Sequence, residues 1–150
     1  MNRKLGKGLR KLRRTKPARH RQSREEESIH RKQKKLERAL QSLEGKVLVV
    51  EGKNDLGSLR KAGVSQEIVL MNQSAGKVAD RVKRIGSEAV VLTDFDRRGE
   101  ERLLQMKEAL EAVGVGADCE TRKAFREALG VKFFEDFHRK LEEFRQRSER

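Results

Sequence analysis

The sequence predicts an α/β domain with a parallel sheet, preceded by a cationic arm and helix and followed by C-terminal helices. Three observations carry that reading. Short β-branched runs alternate with stretches of helical periodicity, the order that parallel βαβ units produce. Two of those runs break directly into acids, at Glu51 and at Asp94 and Asp96, where open parallel sheets place their sites. The positive charge is also uneven. Residues 1–43 hold 16 Lys/Arg against 4 Glu, a net of +12, and the rest of the chain hold 21 against 20, a net of +1.

Residues 1–22 form the arm. Lys and Arg recur throughout, with Gly6, Gly8 and the only proline, Pro17. Leu5, Leu9 and Leu12 share a helical spacing, but the glycines and the charge density oppose a stable free helix. The expectation is disorder in isolation and ordering on a phosphate-rich surface, with Arg10, Lys11, Arg13, Arg14, Lys16, Arg19 and Arg21 as contacts. Ser23, followed by Glu25, Glu26 and Glu27, reads as a helix start with a cap and with acids against the positive end of the dipole. A charged amphipathic helix then spans 23–44. Ile29, Leu36, Leu40 and Leu43 draw one apolar line along it, while Arg31, Lys32, Lys34, Lys35 and Arg38 face away. That line fits a docked helix and a solvated one equally well.

The folded domain is placed at 45–120. Val47–Val50 is a continuous β-branched run, as in a strand buried on both faces. Glu51-Gly52-Lys53 ends it, and Asn54-Asp55 can cap a helix running through Leu56 and Leu59 to Gly63. Residues 67–71 make a second strand, 72–76 a polar loop, and Val78, Val82 and Ile85 mark the next helix. The third strand is Ala89–Thr93. Leu103, Met106, Leu110 and Val113 give a helix over 99–113, and 115–119 a short fourth strand. Residues 121–150 supply C-terminal helices over 122–129 and 133–147. The second carries Phe134, Phe137, Leu141 and Phe144, a stripe read as core, or as a partner surface if exposed.

Composition removes several classes of function. Apolar residues are 35% and charged residues 41% of the chain, and no apolar run approaches the roughly 20 residues of a membrane span. The basic start lacks an apolar signal core, so a cytoplasmic location is expected and membrane association is not. The single cysteine, Cys119, reads as a small buried apolar group, and no Cys/His cluster has zinc-binding spacing. His20, His30 and His138 read as surface histidines. A cationic arm on a nearly neutral domain points to a polyanion, nucleic acid first. With no Trp, no Tyr and 6 Phe, stacking platforms for single strands are poorly supplied. Backbone and shape recognition of structured RNA or duplex DNA fits better, and the expected partner is RNA before DNA, with ribosomal RNA as a target.

The chemistry concentrates at the two acidic strand ends. Adjacent carboxylates repel unless a cation or a basic group lies between them. If the first and third strands are neighbours, Glu51, Asp94 and Asp96 converge on one crevice. Hard oxygens of this kind suit Mg²⁺, and Lys53, Arg97 and Arg98 lie close enough to neutralise phosphate. A metal-assisted phosphodiester reaction is the chemistry such a set performs, the metal polarising phosphate while a carboxylate moves a proton.

Val49-Val50-Glu51-Gly52-Lys53-Asn54-Asp55, followed by Leu92-Thr93-Asp94-Phe95-Asp96-Arg97-Arg98-Gly99-Glu100, resembles the Toprim domain. Topoisomerases of types IA and II, bacterial primases, OLD-type nucleases and the ribonuclease that matures bacterial 5S rRNA share it. The resemblance covers residues 46–120. With Arg122 to Leu129 it looks most like the small stand-alone archaeal members. It implies a four-stranded parallel, Rossmann-like Toprim sheet flanked by helices, with the first and third strands adjacent. It also implies Glu51 as general acid or base and Asp94 and Asp96 as Mg²⁺ ligands. Arg98 stands where type IA topoisomerases carry a third acid, so one Mg²⁺ is expected rather than two. Without tyrosine the chain cannot form a tyrosyl–DNA link, and it has no zinc-ribbon cysteines and no ATPase phosphate loop.

Two functional readings follow. The first is a Mg²⁺-dependent Toprim-type phosphodiesterase acting on structured RNA, plausibly in rRNA processing. The second is a non-catalytic nucleic-acid- or ribosome-binding protein with a vestigial site, or an accessory subunit in DNA replication or repair.

Overall fold

Four parallel strands form one sheet in the order β2–β1–β3–β4 in the computed structural model, which describes residues 17–149. The strands are β1 (Val47–Val50), β2 (Ile68–Leu70), β3 (Glu88–Leu92) and β4 (Gly116–Asp118). Val49 lies opposite Val69 on one side and Val91 on the other. The chain leaves β1 for β2, then crosses back over β1 to reach β3. Winding therefore reverses between β1 and β3, which opens a crevice at their carboxyl ends. A four-stranded parallel sheet flanked by helices is the architecture expected from the sequence, and the strand order settles the adjacency of the first and third strands that the residues left open.

Successive strand residues face opposite layers, so the two central strands feed two separate cores. Leu48, Val50, Val90 and Leu92 belong to one core. Val47, Val49, Ala89 and Val91 belong to the other. The first is covered by α1 (Pro17–Gln41), α2 (Lys53–Lys61), α5 (Thr121–Leu129) and α6 (Phe137–Ser148). The second is covered by α3 (Ala75–Ile85) and α4 (Arg97–Ala112), through Val78, Val82, Leu103, Met106 and Leu110. Among the described residues no helix is long and apolar enough to cross a membrane.

The apolar line on α1 is a docking stripe. Leu36, Ala39 and Leu43 are buried in the first core, with Ile29 and Leu40 packed beside them, and Lys35 pairs with Glu127 on α5. Helix is already present at Pro17, six residues before Ser23, so Ser23 lies inside α1 and caps nothing. Proline is tolerated in a first turn, where its missing N–H is no loss. Arg21 is therefore an exposed helical residue, and Arg19 also falls within α1. Arg10, Lys11, Arg13, Arg14 and Lys16 lie outside the described residues, as does the rest of the arm before Pro17.

The C-terminal segment breaks into two pieces. A 3₁₀ turn at Phe134–Asp136 precedes α6, and Phe134 at its start is buried in the first core. Phe134, Phe137, Leu141 and Phe144 are all buried, and Phe125 meets Phe137 edge-on with ring centroids 5.1 Å apart. The stripe is core, not a partner surface. Cys119 is half-buried against the second core. His20 and His30 are exposed, but His138 is half-buried, contrary to the surface expectation. It opens α6 against α2, its amide donating to Ser58 Oγ at 2.9 Å, and its Nδ1 is enclosed without a hydrogen-bond partner.

If α1 is integral to the domain, Leu36→Ala should lower stability by about 2–5 kcal/mol, as buried leucine truncations do. Urea denaturation measures this; a cost below about 0.5 kcal/mol would mark α1 as an appendage.

Candidate functional site

Glu51 follows β1 directly, and Asp94 follows β3 after Thr93. Since Val50 pairs with Leu92, the parallel register carries both acids to the same level of the crevice. The Asp94 amide donates to Glu51 Oε2 at 2.8 Å. Glu51 Oε1 faces Arg102 Nη1, on α4, at 3.4 Å, and the Glu51 side chain is only 12% exposed. Asp94 Oδ1 in turn accepts from the Phe134 amide at 2.8 Å. A third acid closes the group. Asp55, buried in the first turn of α2, accepts from the Gly52 amide at 3.1 Å, its side chain reaching back to the residue that precedes the helix.

Like charge and burial disturb these acids. Burial pushes the Asp94 pKa up to about 7; the Asp55 and Glu51 charges add to this, and the Phe134 amide opposes it. Burial also raises Asp55, with the Gly52 amide opposing and the charges of Glu51 and Glu135 adding. Each amide bond favours the ionised carboxylate, but desolvation and mutual repulsion outweigh it at Asp94.

Of the residues singled out in the sequence, the structure joins Glu51 and Asp94 and adds Asp55. Asp96 is turned to a structural task, capping α4 by accepting from the Gly99 amide at 2.7 Å. Lys53 and Arg98 are exposed at the first turns of α2 and α4. Arg97 is not brought to the crevice: its side chain is 95% exposed and lies 3.5 Å from Glu101, one turn along α4. Helical periodicity sends 97 and 101 outward together, while Arg98 shares a face with Arg102. Arg102 is the arginine that reaches Glu51. Among the described residues no three His, Cys, Asp or Glu side chains stand together as a ready metal site. The donor set nonetheless has the right chemistry for Mg²⁺: carboxylate oxygens only, with Asp94 and Asp96 each engaging one oxygen in the amide bonds described.

Two features beneath the acids were not read from the sequence. Arg122 is 1% exposed, yet every one of its contacts supports the turn. Its Nε donates to the Thr93 carbonyl at 2.8 Å and its Nη2 to the Asp94 carbonyl at 2.9 Å. Nη2 also pairs with Glu100 at 2.5 Å, and the guanidinium lies 3.9 Å over the Phe95 ring. Its signal was present, since Arg122, Phe125 and Leu129 fall on one helical face. Gly99 is the other. A Cβ there would stand 1.9 Å from the Asp94 carbonyl oxygen, so only glycine lets α4 begin against the turn.

No family model matches the chain. Among curated proteins, the UPF0292 protein of Thermococcus onnurineus is 33% identical over 101 residues, covering 66% of this chain and 75% of that protein. The UPF0292 protein of Pyrococcus furiosus is 33% identical over 100 residues, covering 63% and 76%. The chain belongs to the UPF0292 family. The family relative from Methanosarcina barkeri is 32% identical over 83 residues, 55% of this chain, which spans 58% of that relative's length. Among solved structures, a putative protein from Aquifex aeolicus superposes with a TM-score of 0.60 at 24% identity, over 69% of this chain and 95% of that one; it shows the fold alone.

These matches correct the Toprim assignment made from the two motifs. The relatives are UPF0292 proteins, and no family model supports the Toprim name. The physical reason is that the motifs are short. A parallel sheet with a switch point draws acids and a helix-starting glycine to its strand ends whatever its lineage.

The raised Asp94 pKa sets a pH dependence. A carboxyl whose folded pKa lies above its unfolded value of 3.8 favours the fold most below about pH 4, and that contribution is lost as pH rises through about 7. Asp94→Asn keeps an oxygen for the Phe134 amide and removes the charge. It should melt above wild type at pH 8, with the difference shrinking towards pH 4; an equal offset at both pH values would refute the assignment. Gly99→Ala should destabilise by about 3 kcal/mol or more, as overpacking against backbone does, and chemical denaturation would read it.

Proposed function

We propose that the crevice is the active site of a Mg²⁺-dependent phosphodiesterase acting on structured RNA in the cytoplasm, ribosomal RNA precursors being the leading substrate class. The observation that carries the reading is the cluster of Glu51, Asp55 and Asp94 at the switch point, Asp55 buried and the other two half-buried, where burial first and the charges of Asp55 and Glu51 second push the Asp94 pKa up to about 7. Such a cluster is costly to the fold, and perturbed acids in a crevice mark chemistry more often than packing.

Asp94 and Asp96 are the residues that would hold the ion, one ion rather than two. Bound there, Mg²⁺ supplies charge that polarises a phosphate and steadies the leaving oxygen. Glu51 is the proton-moving group: its Oε2 is fixed by the Asp94 amide and its Oε1 faces Arg102, so the carboxylate is oriented before substrate arrives. Lys53 and Arg98, exposed on the rim, neutralise flanking phosphates. The aromatic residues also favour backbone recognition: Phe95, Phe125, Phe134, Phe137 and Phe144 are buried and Phe133 is half-buried, so stacking surfaces for unpaired bases are scarce.

One observation favours a second reading. Glu51, Asp94 and Asp96 each already accept a backbone amide. A purely structural turn in a non-catalytic RNA-binding protein would use them in the same way.

End-labelled ribosomal RNA precursor incubated with Mg²⁺ separates the two. Wild type should cleave, while Glu51→Gln and Asp94→Asn should be slower by about 10²–10⁴-fold, the usual contribution of a positioned acid–base group. Equal rates for all three proteins would end the catalytic reading and leave the binding one.

A further inference from the structure

The first core layer carries a second feature, remote from any acid of the crevice in its chemistry. A groove of about 420 Å³ runs between α1 and α5. Arg31, Lys34, Lys35 and Arg38 line it from α1, and Thr121 and Ala124 from the first turns of α5. Lys35 is held across the groove by Glu127. Glu120, at the groove's edge, is engaged by Lys123 at 3.2 Å. Among the described residues Arg31, Lys34 and Arg38 form no ion pair, so three cations share a concavity without protein partners.

We propose that this groove is a separate binding site for the phosphate backbone of duplex RNA. The inference rests on the RNA reading above and gives it a docking surface. Arg31, Lys34 and Arg38 recur at the three- and four-residue spacings that align side chains on one helix face. From Arg31 to Arg38 the helix advances about 10 Å, at 1.5 Å per residue, a length that spans several consecutive phosphates of a duplex strand. The opposite face of α1 is fixed: Leu36 is buried in the core, with Ile29 and Leu40 packed against it. The cations are thus presented on a rigid rod, which lowers the ordering cost of binding.

The groove offers little to a protein partner. Stable protein interfaces centre on buried aromatic or aliphatic anchors. Here the apolar lining is Ala39 and Ala124, and the two large exposed hydrophobics among the described residues, Ile85 and Leu104, lie on the helices of the opposite layer. The groove also adjoins the acidic turn. Thr121 on its wall precedes Arg122, which grips the Asp94 carbonyl from behind, so one helix serves both the docking surface and the crevice.

The test is binding of the full chain to an RNA duplex of about 20 base pairs across a range of KCl concentrations. Each neutralised phosphate contributes about 0.9 to the slope of log K against log salt. Arg31→Gln/Lys34→Gln/Arg38→Gln should therefore flatten that slope by about 2 to 3 and weaken binding about tenfold or more at low salt. Lys34→Gln alone should flatten it by about 1, and Arg31→Lys/Lys34→Arg/Arg38→Lys should keep it. An unchanged slope in the triple Gln variant would overturn the proposal. Polyglutamate competing as well as the duplex would overturn it in favour of an acidic protein partner. Glu51→Gln should bind the duplex with the wild-type slope. Loss of cleavage in Glu51→Gln with a normal slope in the triple Gln variant would thus remove the groove and spare the crevice. A flattened slope without cleavage by any variant would do the reverse.

Discussion

Arg122 is the interaction on which the acidic turn depends. A guanidinium 1% exposed is tolerated only where its donors are met, because an unpaired buried charge costs several kcal/mol. Here the Thr93 and Asp94 carbonyls, Glu100 and the Phe95 ring meet it. From the other side Glu51 accepts the Asp94 amide. The turn after β3 is therefore held at its amide by one strand end and at its carbonyl by the helix of the next unit. The Asp94 side chain is left no freedom to escape its like-charged neighbours.

That constraint explains why repulsion persists. A solvated pair of carboxylates would separate and ionise independently. Asp94 is anchored by the Phe134 amide at 2.8 Å, Asp55 by the Gly52 amide, and Glu51 by the Asp94 amide and Arg102. Each bond is individually favourable, yet together they keep three acids in one partly dry crevice, where their interaction is less screened than in water. The fold stores electrostatic stress at the switch point, and the aromatic core that delivers Phe134 to Asp94 is part of that arrangement. Packing and site are in this sense one construction, joined through the 3₁₀ turn before α6.

The two faces of the first core layer divide the labour. Its interior binds α1 to the sheet through Leu36, Ala39 and Leu43, and its exterior carries Arg31, Lys34, Lys35 and Arg38. A charge run that is only solvating has no need of such a mount. The opposite layer, α3 and α4, supplies Arg102 to Glu51 and the Asp96 cap, so both layers contribute to the crevice, and the cationic groove lies in the first.

Taken alone, the sequence determined the parallel α/β sheet, the two acidic strand ends and the cationic imbalance. β-branched runs, helical periodicity and composition are local signals, readable without contacts. The motifs read too far when they supplied a family, because a few residues at a strand end report the demands of a parallel sheet and not descent. Tertiary structure decided the rest. Whether Ile29, Leu36 and Leu43 dock or float depends on the partner surface, and only the folded chain supplies α5. Asp96 looked equal to Asp94 in sequence, but the start of α4 gave Asp96 the Gly99 amide to cap, while Asp94 received the Phe134 amide from the distant C-terminal segment. Arg122 and Arg102 lie far along the chain from Glu51, and Asp55 looked like a helix cap. Their roles come from long-range packing, which no window of neighbouring residues encodes.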